Sequence, residues 1–412
     1  MALVLAAAAE PTPFYSTRFE KRPDVARLTA IGRQLFFDPS LSASGRTACS
    51  SCHDPAHAYG PPNSRAVQLA GLDGKTPGMR AAPSLRYVQK VPPFTEHFFE
   101  ADGNDSEDQG PAGGHAWDGR ARSLHEQAVL PLLSPLEMAN RDAADVVARV
   151  RKSPEAAALR EAFGPHVLDD VDTAFRAILL CVEVFQQDPA EFYPYNSKYD
   201  AVLRGQASLT KEEQRGLVLF NDPAKGNCAV CHVSAMKEGE FPAFSDWGFI
   251  ALGVPRNRDV ARDGKPPDLG LCGPLRTDFT ARPEYCGRFR TPTLRNVTKR
   301  AVFFHNGKFT SLEEAVRFYA ERDTNPGRWY PRRADGTIDT FDDIPPALRD
   351  NVNREAPFGG KAGGKPALDR AEIRDIVAFL RTLEDGYQGS EPFPQEKGSD
   401  PFSEASGSRK IP

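Results

Sequence analysis

Cys-x-x-Cys-His occurs twice in this chain, as CSSCH at 49–53 and as CAVCH at 228–232. With 7 Cys and 8 His among 412 residues, chance supplies such a pentapeptide roughly 0.002 times, so the recurrence has a cause. Three chemistries use the pattern: structural zinc, a redox dithiol and covalent haem. Structural zinc wants four ligands, usually from two Cys pairs close in sequence, whereas these pairs begin far apart, at 49 and 228. A thioredoxin-like dithiol wants a preceding strand in a βαβ setting, and neither flank offers one. The haem reading uses every residue of the motif: two thiols form thioethers to the vinyl groups, and the His becomes the proximal iron ligand. Cys49, Cys52 and His53 would hold one c-type haem; Cys228, Cys231 and His232 would hold another.

The flanks repeat as well. ARLTAIGRQLFFDP precedes the first motif and ASLTKEEQRGLVLFNDP the second, each reading as an amphipathic helix stopped by proline. Each half closes on an apolar-periodic helix, VDTAFRAILLCVEVFQQ at 171–187 and DRAEIRDIVAFLRTLED at 369–385. The expected fold is therefore mainly α, two tandem cytochrome c-like domains with few, short strands. The divisions fall at 1–13, a signal-peptide remnant or flexible N-terminus; 14–205, the first haem domain; 206–387, the second; and 388–412, a flexible tail rich in Ser, Gly, Pro and Lys.

The repeat then separates the two haems. WDGRARSLHEQAVLP at 117–131 answers HNGKFTSLEEAVRFY at 305–319, pairing Gly119 with Gly307, Leu124 with Leu312 and Glu126 with Glu314 at a constant offset of 188. The same offset pairs Pro131 with Tyr319. A Tyr oxygen can ligate iron and a Pro side chain cannot. If this segment covers the haem face opposite the proximal His, the first haem is open and the second is closed by His232 and Tyr319. The other reading of Tyr319 is an aromatic packed into the core.

A net charge of −4, with no block of like charges, offers no nucleic-acid footprint. No apolar run approaches the roughly 20 residues of a membrane span. The opening MALVLAAAA resembles the end of a signal peptide without its basic region; a misplaced start is the alternative. Covalent haem attachment normally follows export, so a periplasmic location is expected. Cys181 lies in an apolar helix and reads as a buried structural thiol. Cys272 and Cys286 bracket a loop that a disulfide can close in an oxidising compartment, or they stay as two free thiols.

In order along the chain, LFFDP, CSSCH, WDGR, LSPLEM, CAVCH, TPTLRNV, FFHNG and DIVAFLRTL resemble the bacterial dihaem cytochrome c peroxidases, and within them the MauG-like branch. The resemblance implies a haem-dependent oxidoreductase that uses hydrogen peroxide to form high-valent haem iron shared across two haems. It implies Tyr319 as iron ligand, where ordinary peroxidases have Met, and Trp117 as the aromatic between the haems. Gln127, Pro131 and Glu137 match residues over the peroxide-binding haem, with Glu137 as general acid and base; a solvated helix-edge carboxylate is the commoner fate of Glu. The implied partner is a periplasmic protein whose side chains are oxidised, or else a small cytochrome c or copper protein that donates electrons. A third, non-enzymatic reading is a plain dihaem carrier.

His305 and three arginines, Arg86, Arg290 and Arg295, are candidates for the haem propionate side. Family peroxidases carry a blocking His ligand after the first motif, where this chain has Leu69, so a resting open haem is expected, with His57 and His97 as substitute ligands. The family's calcium positions hold Ala81, Arg300 and Val302, which leaves calcium doubtful and puts the Arg300 guanidinium forward as the replacement charge. The insertion at 322–368 reads as a partner-docking surface or a long structured loop.

Overall fold

The computed structural model describes residues 14–99, 108–260 and 266–389. The expected leader at 1–13 and nearly all of the tail at 388–412 lie outside the described residues. The helices are α1 (Val25–Phe37), α2 (Leu124–Leu133), α3 (Ala143–Val150), α4 (Glu155–Phe163), α5 (Val171–Phe185), α6 (Pro189–Phe192), α7 (Lys198–Leu203), α8 (Lys211–Asn221), α9 (Leu312–Glu321), α10 (Pro326–Trp329) and α11 (Arg370–Arg381). Strands are two-residue antiparallel pairs: β1 (Leu69–Ala70) with β2 (Thr76–Pro77), and β3 (Phe249–Ile250) with β4 (Phe289–Arg290). The molecule is mainly α, as the repeat predicts.

Local chemistry explains where the helices begin. Asp24 caps α1 and Thr210 caps α8, each side-chain oxygen taking a first-turn amide. Ser123 and Ser311 cap α2 and α9 by accepting from the amides of Glu126 and Glu314, so the 188-residue offset is a repeat of structure as well as of letters.

In each half the helix before the motif packs on the closing helix: α1 on α5, and α8 on α11. Both crossings are made at a glycine. A β-carbon on Gly32 would lie 1.9 Å from the Cys181 carbonyl oxygen, and one on Gly216 would lie 1.9 Å from that of Asp375. The backbones touch there, and only glycine permits it.

Two large apolar cores result. Ile31, Leu35, Val146, Leu159, Phe163, Ile178 and the buried Cys181 belong to the first. Phe220, Phe318, Ile373, Ile376, Phe379 and Leu380 belong to the second. The passage from one core to the other comes before α7 and not after residue 205. Tyr199 on α7 packs in the second core, its amide donates to the Thr382 carbonyl at 2.9 Å, and Asp200 pairs with Arg295 from that half at 2.8 and 2.9 Å. The insertion is a structured segment: Trp329, Tyr330, Phe341, Ile344 and Val352 are built into the second core. Cys272 and Cys286 are joined as a disulfide, with Cα atoms 5.0 Å apart.

Candidate haem clefts

Each motif opens onto its own cleft. The first is lined by Cys49, Cys52, His53, Trp117, Gln127, Pro131 and Glu137. The second is lined by Cys228, Cys231, His232 and Tyr319. Open mouths included, they enclose about 1820 and 1830 Å³ of space free of protein atoms.

Both motif histidines are prepared as ligands. His53 Nδ1 lies 3.0 Å from the Tyr59 carbonyl oxygen, and His232 Nδ1 lies 2.9 Å from that of Phe244. A carbonyl only accepts, so Nδ1 carries the proton and Nε2 keeps its lone pair for a metal. Burial pushes both rings down to about 4, so they are neutral at ordinary pH. Burial also pushes the thiols of Cys49, Cys52, Cys228 and Cys231 up to about 12. A redox dithiol needs the opposite shift.

In the first cleft, Gln127 and Pro131 stand four residues apart on α2 and so share a face. Glu137 follows in the turn after α2, its amide donating to the Ser134 carbonyl at 3.1 Å. It lines the cleft and is not a solvated helix-edge carboxylate. Burial raises its pKa, with the Arg120 charge pulling the other way. His115, Met79 and Met138 also line this cleft. His57 is bonded to Asp54 at 2.8 Å and His97 to Asp108 at 2.6 Å; neither is among the lining residues, and Leu69 is 40% exposed on β1.

In the second cleft, Tyr319 occupies on α9 the position that Pro131 occupies on α2. Its ring lies near-parallel to Phe304 at 5.9 Å and to Phe358 at 5.4 Å. Burial pushes its phenol well above the usual range. Phe358 comes from the insertion and is held by Arg322, whose guanidinium lies 3.7 Å over that ring. Arg322 is fully buried and donates twice to Asp323 at 2.8 Å, and to the carbonyls of Leu252 and Asn353. Arg322 stands three residues after Tyr319, at the end of α9, whereas no spacing in the sequence links Phe358 to Tyr319.

Trp117 and Arg290 line both clefts. Trp117 Nε1 donates to the Ala81 carbonyl at 2.8 Å, and the Ala81 amide donates to the carbonyl of His305 at 2.7 Å. His305 is the counterpart of Trp117 in the second half, and one residue ties the two together. Buried Arg290 Nη1 and His305 Nε2 have no hydrogen-bond partner, and both residues line the second cleft. Unsatisfied buried nitrogens at a cleft wall suit an anionic group such as a propionate. Arg295 and Arg86, expected on the propionate side, are instead held by carboxylates. Arg295 is fully buried against Asp200 and the Pro242 carbonyl, and Arg86 pairs with Asp385 at 2.8 Å; neither lines a cleft. Their carboxylate partners lie 95 and 299 residues away, beyond any local pattern. Arg300 lines the second cleft and donates to the Ala82 carbonyl at 3.1 Å, and its charge lowers the pKa of His53.

A family model described as di-haem cytochrome c peroxidase matches residues 26–208. The methylamine utilization protein MauG of Paracoccus denitrificans is 36% identical over 384 residues, covering 90% of this chain and 92% of that protein. The cytochrome c551 peroxidase of Nitrosomonas europaea is 29% identical, covering 88% and 81%. Among solved structures, the diheme peroxidase BthA of Burkholderia thailandensis superposes with a TM-score of 0.77 at 39% identity, covering 91% of this chain and 89% of that one. With two haem-ready motifs, two clefts and relatives aligned over nearly its whole length, the chain belongs to the di-haem cytochrome c peroxidases, haem-dependent oxidoreductases that carry two covalently bound c-type haems.

Proposed function

We propose that this protein uses hydrogen peroxide to oxidise side chains of a periplasmic partner protein, as a MauG-like enzyme. One observation carries the reading: the equivalent positions on two equally capped helices hold Pro131 in the first cleft and Tyr319 in the second. Cys49, Cys52 and His53 would hold one haem, and Cys228, Cys231 and His232 the other. When bound, the haems supply reaction with peroxide and storage of its two oxidising equivalents. Pro131 leaves the first site open to peroxide, while Tyr319 closes the second. Gln127, on the face of Pro131, orients peroxide by hydrogen bonding. Glu137 would take a proton from one peroxide oxygen and return it to the other, which leaves as water. Trp117, its ring fixed by the bond to Ala81, conducts between the clefts. Arg300 supplies the positive charge at the positions where the family resemblance would put calcium. The disulfide agrees with an exported protein, and among the described residues no helix is long and apolar enough to cross a membrane.

A second reading is a peroxidase fed by a small cytochrome c or copper protein. The exposure of Val230, Val233 and Met236, on and just after the second motif, favours it, because apolar exposed groups suit a transient docking face. The deciding experiment adds one equivalent of peroxide to the holoprotein and follows its oxidised state with and without reduced cytochrome c. Persistence of that state beside the donor supports partner-protein oxidation. Rapid turnover of many equivalents of donor assigns the second reading instead.

A further inference from the structure

A tyrosine cluster at the junction of the two cores takes no part in the scheme above. Tyr87 is 1% exposed, and its hydroxyl donates to the Asp385 carboxylate at 2.5 Å. That carboxylate also accepts from Arg86 at 2.8 Å and from Asn296 at 2.7 Å, so it is held as a fixed acceptor. The Tyr195 ring stands 5.0 Å from that of Tyr87, edge to face, and Tyr193 follows at 6.5 Å. Tyr193 and Tyr195 are half-buried and reach the surface. The Arg295 guanidinium lies 4.6 Å over Tyr87 and 4.7 Å over Tyr195, and the Tyr195 amide donates to the Tyr87 hydroxyl oxygen at 3.0 Å. Tyr87 and Tyr195 both sit at positive φ, 60° and 47°, a conformation that bulky residues keep only when their surroundings enforce it.

The inner end of the cluster is tied to the first motif. The Tyr59 carbonyl oxygen meets both His53 Nδ1 at 3.0 Å and the Leu85 amide at 3.2 Å. Leu85 lines the first cleft and stands two residues before Tyr87. A short path of hydrogen bonds and main chain thus runs from the ligand histidine to a buried phenol with a base at bonding distance.

We propose that Tyr87, Tyr195 and Tyr193 form a relay that carries single oxidising equivalents from the peroxide-reacting cleft to the protein surface; this rests on the peroxidase reading of that cleft. Tyr87 gives one electron to the site that peroxide has oxidised, and its phenol proton passes to Asp385. Tyr195 then reduces the Tyr87 phenoxyl, which recovers its proton from Asp385, while the Tyr195 proton leaves to solvent. Tyr193 reduces Tyr195 in the same way. The equivalent ends on Tyr193, where an electron-rich phenol or a docked protein's surface tyrosine refills it. The cation over both inner rings raises their potentials, so the relay answers only to a strong oxidant such as peroxide provides. Burial pushes the Tyr87 phenol further from ionisation, which makes the adjacent carboxylate necessary for its oxidation.

The test treats the holoprotein with one equivalent of peroxide and no donor, in the presence of a nitroso spin trap. Peroxide consumption is measured in the same sample, and adducts are mapped by proteolysis and mass spectrometry. Adducts are expected on Tyr193 and Tyr195. Tyr195→Phe keeps the ring packing and is expected to abolish the Tyr193 adduct with peroxide consumption unchanged; Tyr193→Phe is expected to shift the adduct onto Tyr195. Equal labelling of Tyr193 in Tyr195→Phe overturns the relay. Consumption of peroxide with neither residue labelled overturns the relay alone, and absence of consumption overturns the relay and the peroxidase reading together.

Discussion

Gly216 sits where α8 meets α11, and a β-carbon there would stand 1.9 Å from the Asp375 carbonyl oxygen and 2.8 Å from Phe379 Cβ. Real β-carbons essentially never come within 3.0 Å of such atoms, so Gly216→Ala forces the two backbones apart by about 1 Å in a close-packed interior. The parted face carries Ile376 and Phe379, 1% and 0% exposed, and a radial gap of about 1 Å forfeits much of each dispersion contact. Overpacking at a rigid site costs about 3 kcal/mol. Alanine returns about 1 kcal/mol over glycine as a helix former, which leaves a net loss of about 2 kcal/mol. For a half-molecule of this size, that lowers the midpoint of its thermal transition by about 4–8 °C. Scanning calorimetry of the holoprotein reads it, and Gly32→Ala, facing the Cys181 carbonyl at the same 1.9 Å, repeats the test in the other half. An unchanged or raised midpoint in both variants would refute contact of the backbones at these crossings.

Four further outcomes can be measured. Glu137→Gln is expected to slow the peroxide reaction by about 10²–10⁴, read by stopped flow with haem content unchanged. Because burial raises this carboxyl and the base form is the working one, the wild-type rate is lost as pH falls through a midpoint above the ordinary 4.5; a midpoint at or below that value contradicts the assignment. Arg295→Met strands Asp200 in the interior and is expected to cost about 3 kcal/mol with peroxide consumption unaltered, whereas a shifted haem potential at full stability would restore Arg295 to the propionate side. Chelator treatment is expected to leave the peroxide reaction as it was; a loss that calcium reverses would remove Arg300 from the role given to it.

What could be read from the chain was local or repeated. The motif spacing lies within five residues, and the pairing of Pro131 with Tyr319 follows from a repeat at a constant offset of 188; short windows and repeats carry motif geometry and helix periodicity. What could not be read was contact between distant segments. Arg295 is part of the TPTLRN stretch and looks available to a haem, yet its partner Asp200 lies 95 residues earlier. Gly32 and Gly216 look like ordinary helix-weakening residues until the opposing carbonyls are seen. The sequence divides after residue 205, while Tyr199 and Asp200 bind α7 to the second half. Phe358, against Tyr319, comes from an insertion whose Pro and Gly content suggested a partner-docking surface or a long structured loop, and nothing local in it points to Tyr319.

The central claim is that Pro131 leaves one haem open while Tyr319 closes the other. Low-temperature electron paramagnetic resonance of the resting ferric holoprotein, recorded beside Tyr319→Phe, tests it most directly. The account predicts one high-spin and one low-spin signal in the wild type, with only the low-spin signal converted to high-spin in the variant. Two low-spin signals in the wild type, or a low-spin signal that survives Tyr319→Phe unchanged, would contradict it.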